Sequence, residues 1–445
     1  MVESYANSLE DRLVDGLSFK LDPGASYIND RRSVTFHPQG SNVYNPSQGT
    51  KLIKIMLSGK DWLDPNTFRV MFDVVNDGAA GLALRPISGP WSFFRRVRLL
   101  AGGQLVEDID YYNRVHEMMD VLTATDSRDN EAVEGFGVRW NERDKPTTTA
   151  EYNGIAAGDR QTVLFKPLCG LLNQNKFLPL SYLQSLSLEL ELVDNVEDPI
   201  LKNTGVEGAV FTDANNSKVW HLENVQVKCD MVSLDTGVQN SYDEIVLSSK
   251  EIPIHYTTFV SQFQTISGQD EPFINVSRAA TRLKSVFVSL DKNFSGTRVT
   301  AGRKWWNDFF SPGSVSNRIN YTNNSKDEFE LQLQIGSKLF PEYPIRSHAE
   351  AYYQLRKALG VQSSKMHSFD VSPQEYHDNR LIVGVDTEKM LGASFTGLNT
   401  RSGDLMSVRL KYKEKTDARS ADRIHIVLHT DNILQIYAGG CSVFD

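Results

Sequence analysis

The sequence predicts an all-β protein built from two similar domains in tandem. Three observations support this prediction: apolar and polar residues alternate along many short segments, clusters of Gly, Pro, Asn and Asp separate those segments, and one order of elements occurs twice along the 445 residues. Segments that alternate with a period of two bury one face and expose the other, as antiparallel sandwiches do. Short strands broken by turn residues favour a sandwich or jelly roll in each half.

The alternation of apolar and polar residues is clearest in four segments, which are 68–74, 186–192, 408–412 and 424–428. Further apolar strands are expected at 51–57, 94–100, 225–229 and 286–290. Together these segments supply enough strands for two sandwiches, and they leave little of the chain for regular helices.

The duplication is visible at one strand, turn and helix in each half. An apolar strand ending at Leu100 is followed by Gly102, Gly103 and a helical stretch, and the strand 329–335 is followed by Gly336 and another helical stretch. Apolar residues at helical spacing predict these two helices over 112–122 and 348–359. We expect the helices to occupy equivalent places in the two domains.

The length suits two domains of roughly 200 residues each. We predict an N-terminal arm at 1–30, a first domain at 31–240 and a second domain at 241–445, with a polar connection at 233–249. Three long polar stretches are expected to be loops, and long loops commonly carry interactions. They are 127–160, 194–217 and 294–326.

Composition narrows the class of function. The net charge is −9 and the sequence contains no block of basic residues, which disfavours binding to the phosphate backbone of nucleic acid. The sequence has neither a signal-peptide core nor a long apolar segment, so we expect no membrane insertion. The cysteines are three in number, widely spaced and without a CxxC motif, which favours free thiols in a reducing compartment.

A search for catalytic and cofactor motifs gives no positive result. The sequence contains no GxGxxG, GxxxxGK[ST], HExxH or GxSxG, and we expect no catalytic residue, cofactor or metal. His425 and His429 would lie roughly 13 Å apart along one strand, too far to share a metal. They fall on its polar face, so we expect solvated or interface histidines. A dispersed carboxylate pair for glycoside hydrolysis stays open, because no pattern singles one out.

Four large aromatic side chains lie close together in the stretch 294–326, and these are Trp305, Trp306, Phe309 and Phe310. Their exposure to water would be costly, so we expect them to be buried. They would lie either under their own loop or in a contact between subunits, and the sequence does not decide between the two. They are our candidate subunit-interface residues.

The opening of the first domain carries a resemblance to a known family. Its marks are Phe36-His-Pro38, Tyr44-x-Pro46, Ile53-Lys-Ile55, Trp62-Leu-Asp-Pro65, Trp91-Ser-Phe-Phe-Arg-Arg-Val97 and Gly102-Gly-x-x-Val-Glu-Asp108. With the duplication, this pattern resembles the double jelly-roll major capsid proteins of double-stranded DNA viruses. It is most similar to those of polinton-like viruses, adintoviruses and virophages. The Asn-Pro-Gln-x-Thr-Phe-Phe-Lys opening of the large iridovirus and phycodnavirus capsid proteins is missing.

The resemblance implies two tandem eight-stranded jelly rolls and a structural role rather than an enzymatic one. The chain would form homotrimeric capsomers of pseudo-hexagonal outline that build an icosahedral virion shell, and it would be assembled in the host cytoplasm or nucleus. Its partners would be other copies of itself, with penton and minor capsid proteins, and no specific nucleic acid. The alternatives are a carbohydrate-binding two-domain β-sandwich protein and, after it, a glycoside hydrolase.

Overall fold

The computed structural model describes residues 27–47, 49–138, 153–201, 215–292, 309–312, 329–360, 369, 371–378, 380–390, 396–401, 405–412 and 420–444. The arm predicted at 1–30 therefore lies almost entirely outside the described residues, as do large parts of the three predicted loops.

The first half of the chain forms two four-stranded antiparallel sheets, extended by two short strands. In chain order the strands are β1 (Ile28–Phe36), β2 (Val43–Tyr44), β3 (Leu52–Leu57), β4 (Trp62–Asn76), β5 (Phe94–Ala101), β6 (Gln104–Ile109), β7 (Arg160–Phe165), β8 (Leu178–Pro179), β9 (Leu186–Leu192) and β10 (Trp220–Leu234). One sheet has the order β1-β10-β4-β7, with β2 beside β10 and β8 beside β4, and the other has the order β3-β9-β5-β6.

The second half repeats this arrangement. Its strands are β11 (Ile252–Thr265), β12 (Phe273–Val276), β13 (Leu283–Asp291), β14 (Phe329–Ile335), β15 (Lys338–Ile345), β16 (Ile382–Asp386), β17 (Met406–Tyr412), β18 (Arg423–Tyr437) and β19 (Gly440–Phe444). The sheet orders are β11-β18-β13-β16, with β19 beside β18, and β12-β17-β14-β15. Position by position, these orders equal those of the first half. The prediction of two tandem eight-stranded jelly rolls is confirmed.

Alternating side chains fill the space between the two sheets of each roll. In the first roll, Phe72 of one sheet meets Phe94 of the other edge-to-face, with ring centroids 5.4 Å apart. In the second roll, Leu333 and Val408 pair across neighbouring strands and are both buried. Burial of the apolar set on each strand fixes its register, because a slip by one residue would expose that set.

The strand turns that the sequence marks as equivalent are equivalent in the fold. The hairpin β5–β6 turns at Gly102 and Gly103, which have φ values of 54° and 84°. The hairpin β14–β15 turns at Gly336, with φ of 59°. Glycine is favoured at these positions because other residues rarely adopt a positive φ.

Five α-helices occur in the described residues, three more than the sequence predicts. They are α1 (Tyr112–Val121), α2 (Thr125–Glu131), α3 (Thr236–Leu247), α4 (His348–Ala358) and α5 (Pro373–Asp378). The predicted helices 112–122 and 348–359 correspond to α1 and α4, and each follows the equivalent strand of its roll. The polar connection predicted at 233–249 is mostly occupied by α3.

Helix α3 has no fully buried residue, and its apolar side chains are half-buried. The ring of Tyr242 lies 4.9 Å from that of Trp62. The carboxylate of Asp235 begins the helix by accepting a hydrogen bond from the Gly237 N–H. Among the described residues, no helix is long and apolar enough to cross a membrane. The three cysteines are free and buried in the structure.

Candidate functional site: the junction between the two jelly rolls

The two rolls meet along one edge of each. Strand β6 of the first roll and strand β11 of the second lie against each other, with the short C-terminal strand β19 beside them. The Tyr256 hydroxyl donates a hydrogen bond to the Val106 carbonyl at 2.9 Å, and the Cys441 thiol donates to the Ala101 carbonyl at 3.0 Å. The junction is therefore made by side chains that reach across to backbone carbonyls of the facing strand.

Glu107 is the buried acid of this junction. Its two carboxyl oxygens accept hydrogen bonds from the Gly170 N–H at 3.0 Å and the Leu171 N–H at 2.8 Å. Burial raises the pKa of Glu107 to about 8, and the two backbone N–H groups oppose that rise. The carboxyl group thereby fixes the segment 170–172, which lies against β11.

Gly170 lets the backbones of the two rolls approach closely. A Cβ atom built at this position would overlap the carbonyl oxygen of Thr257 on β11. Since the obstacle is a backbone atom, no change of side-chain rotamer could relieve the overlap. A residue without a side chain is required here by contact between the rolls rather than by backbone conformation.

A buried ionic cluster joins helix α1 to the second roll. The Arg114 guanidinium lies 4.0 Å from the Asp291 carboxylate, and the Glu117 carboxylate lies 4.0 Å from the Arg380 guanidinium. All four side chains are buried. The Trp91 indole N–H donates to Glu117 at 3.2 Å. Loss of one partner from such a buried pair costs about 3–5 kcal/mol, because the other charge remains desolvated.

Two of the four candidate interface aromatics, Phe309 and Phe310, lie in the part of the chain that the structure describes. Both side chains are buried within the chain, with 0% and 2% of their surface exposed. The Arg114 guanidinium lies 4.5 Å from the centre of the Phe309 ring. The Phe310 N–H donates to the Leu290 carbonyl at 2.8 Å. These two rings hold their segment onto the second roll and beneath α1. Trp305 and Trp306 lie outside the described residues, and the role of the group in subunit contact stays a prediction.

Of the two alternatives predicted for His425 and His429, solvated or interface histidines, the solvated one is wrong for His425, and His429 is half-buried. His425 is fully buried at the junction, where Phe263 and Tyr111 contact its ring at centroid distances of 5.7 and 6.4 Å. Burial, and to a smaller extent the nearby Arg114 charge, lower its pKa to about 3. His429 stacks on Phe259 at 4.9 Å, and burial lowers its pKa to about 4.

The arginines near the start of β5 form ion pairs inside the first roll. Arg96 makes two hydrogen bonds to Asp108 on β6, at 2.7 and 2.6 Å, and Arg98 lies 3.2 Å from Glu189 on β9. The positive charges on this strand are thus neutralised across neighbouring strands. In the described ranges, no group of three or more His, Cys, Asp and Glu side chains could hold a metal ion.

The overall structure is similar to viral capsid proteins. A structure described as PBCV-1 VP54 fitted into a reconstruction of the virophage Sputnik has a TM-score of 0.61 and 15% identity, over 96% of this chain and 98% of that one. The structure of the Sputnik virophage has a TM-score of 0.61 and 9% identity, and the match covers 96% of this chain and 90% of that one. The Faustovirus major capsid protein has a TM-score of 0.58 and 9% identity, and the match covers 94% of this chain and 92% of that one.

The similarity extends over nearly the whole length of both chains, so it includes both rolls and their junction. No family model matches the sequence, and no curated protein matches it. The fold is that of the double jelly-roll capsid proteins of double-stranded DNA viruses, as the sequence pattern predicts.

Proposed function

We propose that this chain is the major capsid protein of a double-stranded DNA virus, a structural protein rather than an enzyme. Three copies would form a capsomer of six jelly rolls with a pseudo-hexagonal outline, and capsomers would tile an icosahedral shell. The observation that carries the proposal is the identical strand order of the two rolls, held side by side by a buried junction. A repeated unit in a fixed relation to its neighbour suits a ring of six such units.

The proposal includes the division of the chain and its partners. Residues 31–240 and 241–445 would be the two rolls, and residues 1–30 would be an arm under the shell. The chain would associate with copies of itself and with penton and minor capsid proteins, without specific nucleic-acid binding or membrane insertion. Its location would be the virion, after assembly in the host cytoplasm or nucleus.

Native mass spectrometry and negative-stain imaging of the purified chain test this proposal. We expect a stable trimer with a mass of three times 50.1 kDa and a hexagonal outline in projection. A persistent monomer that binds oligosaccharides would contradict the capsid role and favour the carbohydrate-binding alternative. Glycoside hydrolysis by the pure protein would favour the enzymatic alternative.

A further inference from the structure

A cavity of about 370 Å³ lies at the side of the first roll, where helices α1 and α2 meet the end of strand β7. Its lining includes Trp91, His116, Met119, Leu164 and Phe165. Sites for small organic molecules have volumes of about 300–1,000 Å³ and are mostly apolar, with a few polar groups that orient the ligand. The cavity has the size and the lining of such a site, and the capsid role proposed for the chain does not account for it.

The space exists because the two rolls pack their equivalent helices differently. In the second roll, helix α4 lies directly on strand β16, where a Cβ atom at Gly384 would lie 2.9 Å from the Cβ of Ala358 and 3.2 Å from the Cα of Leu355. The equivalent strand β7 has no glycine, and its backbone does not approach that of α1 as closely. Instead the ring of His116 on α1 meets the ring of Phe165 on β7 at a centroid distance of 6.2 Å.

One wall of the cavity is flat and uncharged. The rings of Trp91 and His116 stack with centroids 4.1 Å apart and an angle of 19° between their planes. The Nε2 atom of His116 lies 3.3 Å from the Lys166 carbonyl oxygen, and since a carbonyl only accepts, Nε2–H donates. Burial lowers the pKa of His116 to about 4, so the ring is neutral at neutral pH. This wall suits the face of an aromatic ring.

Most of the charges on the lining are already satisfied. The Arg128 Nε–H donates to the Asp120 carboxylate at 2.8 Å, and the Arg69 Nε–H donates to the Glu134 carboxylate at 3.1 Å. Glu131, the remaining acid of the lining, is exposed to solvent. These groups therefore leave no buried negative charge for a cationic ligand to neutralise.

Lys166 is the remaining cation of the lining, and it has no ion pair in the described part of the chain. Its side chain is half-buried, and burial and the nearby Arg69 charge lower the pKa of its ammonium group. At the free edge of β7, the Leu164 N–H donates to the Glu134 carbonyl. Because N–H groups alternate in direction along an extended chain, the Lys166 N–H faces the same edge. An anionic group at this edge would meet two donors from one residue.

We propose that this cavity binds a small aromatic molecule that carries a carboxylate group. The aromatic body would lie along the rings of Trp91, His116 and Phe165, and the carboxylate would accept hydrogen bonds from Lys166. Charge complementarity supports a single negative charge on the ligand, since Lys166 is the cation that lacks a partner. The proposal does not rest on the trimer, because every residue of the lining belongs to one chain.

The first test compares two probes of nearly the same shape, 2-naphthoate and its neutral amide, 2-naphthamide. Isothermal titration calorimetry of the full chain, at neutral pH and low salt, measures both. We expect naphthoate to bind with a dissociation constant in the millimolar range or below. The amide should bind about fivefold more weakly, which is the contribution of a favourable, partly exposed ion pair.

The second test changes the cavity. Lys166→Gln removes the charge and keeps a side chain of similar length, so naphthoate should bind about fivefold more weakly and naphthamide as before. Lys176→Gln is the matched control, since Lys176 is exposed and lies outside the lining, and it should change neither affinity. Met119 is half-buried on the lining, so the larger ring of Met119→Trp should occupy part of the cavity and weaken both probes. Circular dichroism checks that each variant is folded.

The outcomes separate this proposal from the proposed function. Equal affinity of the wild type for naphthoate and naphthamide overturns the preference for a carboxylate. Naphthoate affinity that is unchanged by both Lys166→Gln and Met119→Trp puts the probe elsewhere and overturns the site. Naphthoate that neither releases heat nor raises the melting temperature at millimolar concentration overturns binding altogether. None of these results bears on the trimer, which is measured on the chain without ligand.

Discussion

Gly170→Ala should weaken the junction between the rolls. The new methyl group would overlap the backbone carbonyl oxygen of Thr257, so either the segment 170–172 or strand β11 must shift. Overpacking of a close-packed contact typically costs about 1–3 kcal/mol. For a domain of this size each kcal/mol lowers the melting temperature by roughly 2–4 °C, so we expect a loss of about 2–12 °C.

Differential scanning calorimetry of the full chain measures this loss. Gly135→Ala is the control, because its Cβ would lie 3.5 Å from the nearest atom, on Pro90, and the position has no positive φ. Its melting temperature should change little. The shift caused by Gly170→Ala should also disturb the relation between the rolls, so the trimer yield should fall with the melting temperature. A variant that melts and assembles as the wild type does would refute the tight contact between Gly170 and β11.

The remaining predictions concern the candidate aromatics, the thiols and a buried histidine. If Trp305 and Trp306 anchor a subunit contact, the double variant Trp305→Ala, Trp306→Ala should be recovered as folded monomer or as aggregate. If the pair only holds its own loop in place, the trimer should survive with a lower melting temperature. Truncation of each buried ring would lower the free energy of unfolding by about 3–5 kcal/mol. Thiol titration should find three reactive groups per denatured chain and almost none in the folded chain, since all three cysteines are buried. His425 has its pKa lowered to about 3, so the folded state binds fewer protons than the unfolded state below pH 6.5. Stability should fall as the pH drops from 6.5 toward 3, by about 1.4 kcal/mol per unit for this group, and urea unfolding of His425→Phe should show a shallower loss.

Much of the fold could be predicted from the sequence because each roll buries one face of every strand against its own core. The period-two pattern reports that burial directly, which is why the segments 186–192 and 408–412 lie close to the observed β9 and β17. Helix α3 escaped prediction for the opposite reason. Its apolar residues Val238, Tyr242 and Ile245 recur at helical spacing but are only half-buried, and the polar residues around them made the segment look like a connection.

The junction could not be predicted, because a strand pattern shows which face meets the strand's own core and gives no sign of what covers the other face. His425 alternates with Ile424 and Ile426 and therefore has the pattern of a solvent-facing residue. It is buried because aromatic rings at the roll junction cover that face. The same applies to Glu107, a charged residue by type that lies fully inside the molecule.

Residue type does not indicate exposure on the equivalent edge strands β6 and β15. Strand β6 buries a carboxyl group and strand β15 exposes a tyrosine, although the two strands hold the same place in their rolls. Within one chain these choices look inverted, since the acid lies inside and the aromatic ring lies in water. The Glu107 carboxyl group is satisfied inside the chain by the N–H groups of Gly170 and Leu171, and the Tyr343 ring lies on an edge strand that has one hydrogen-bonded neighbour in the described part of the chain.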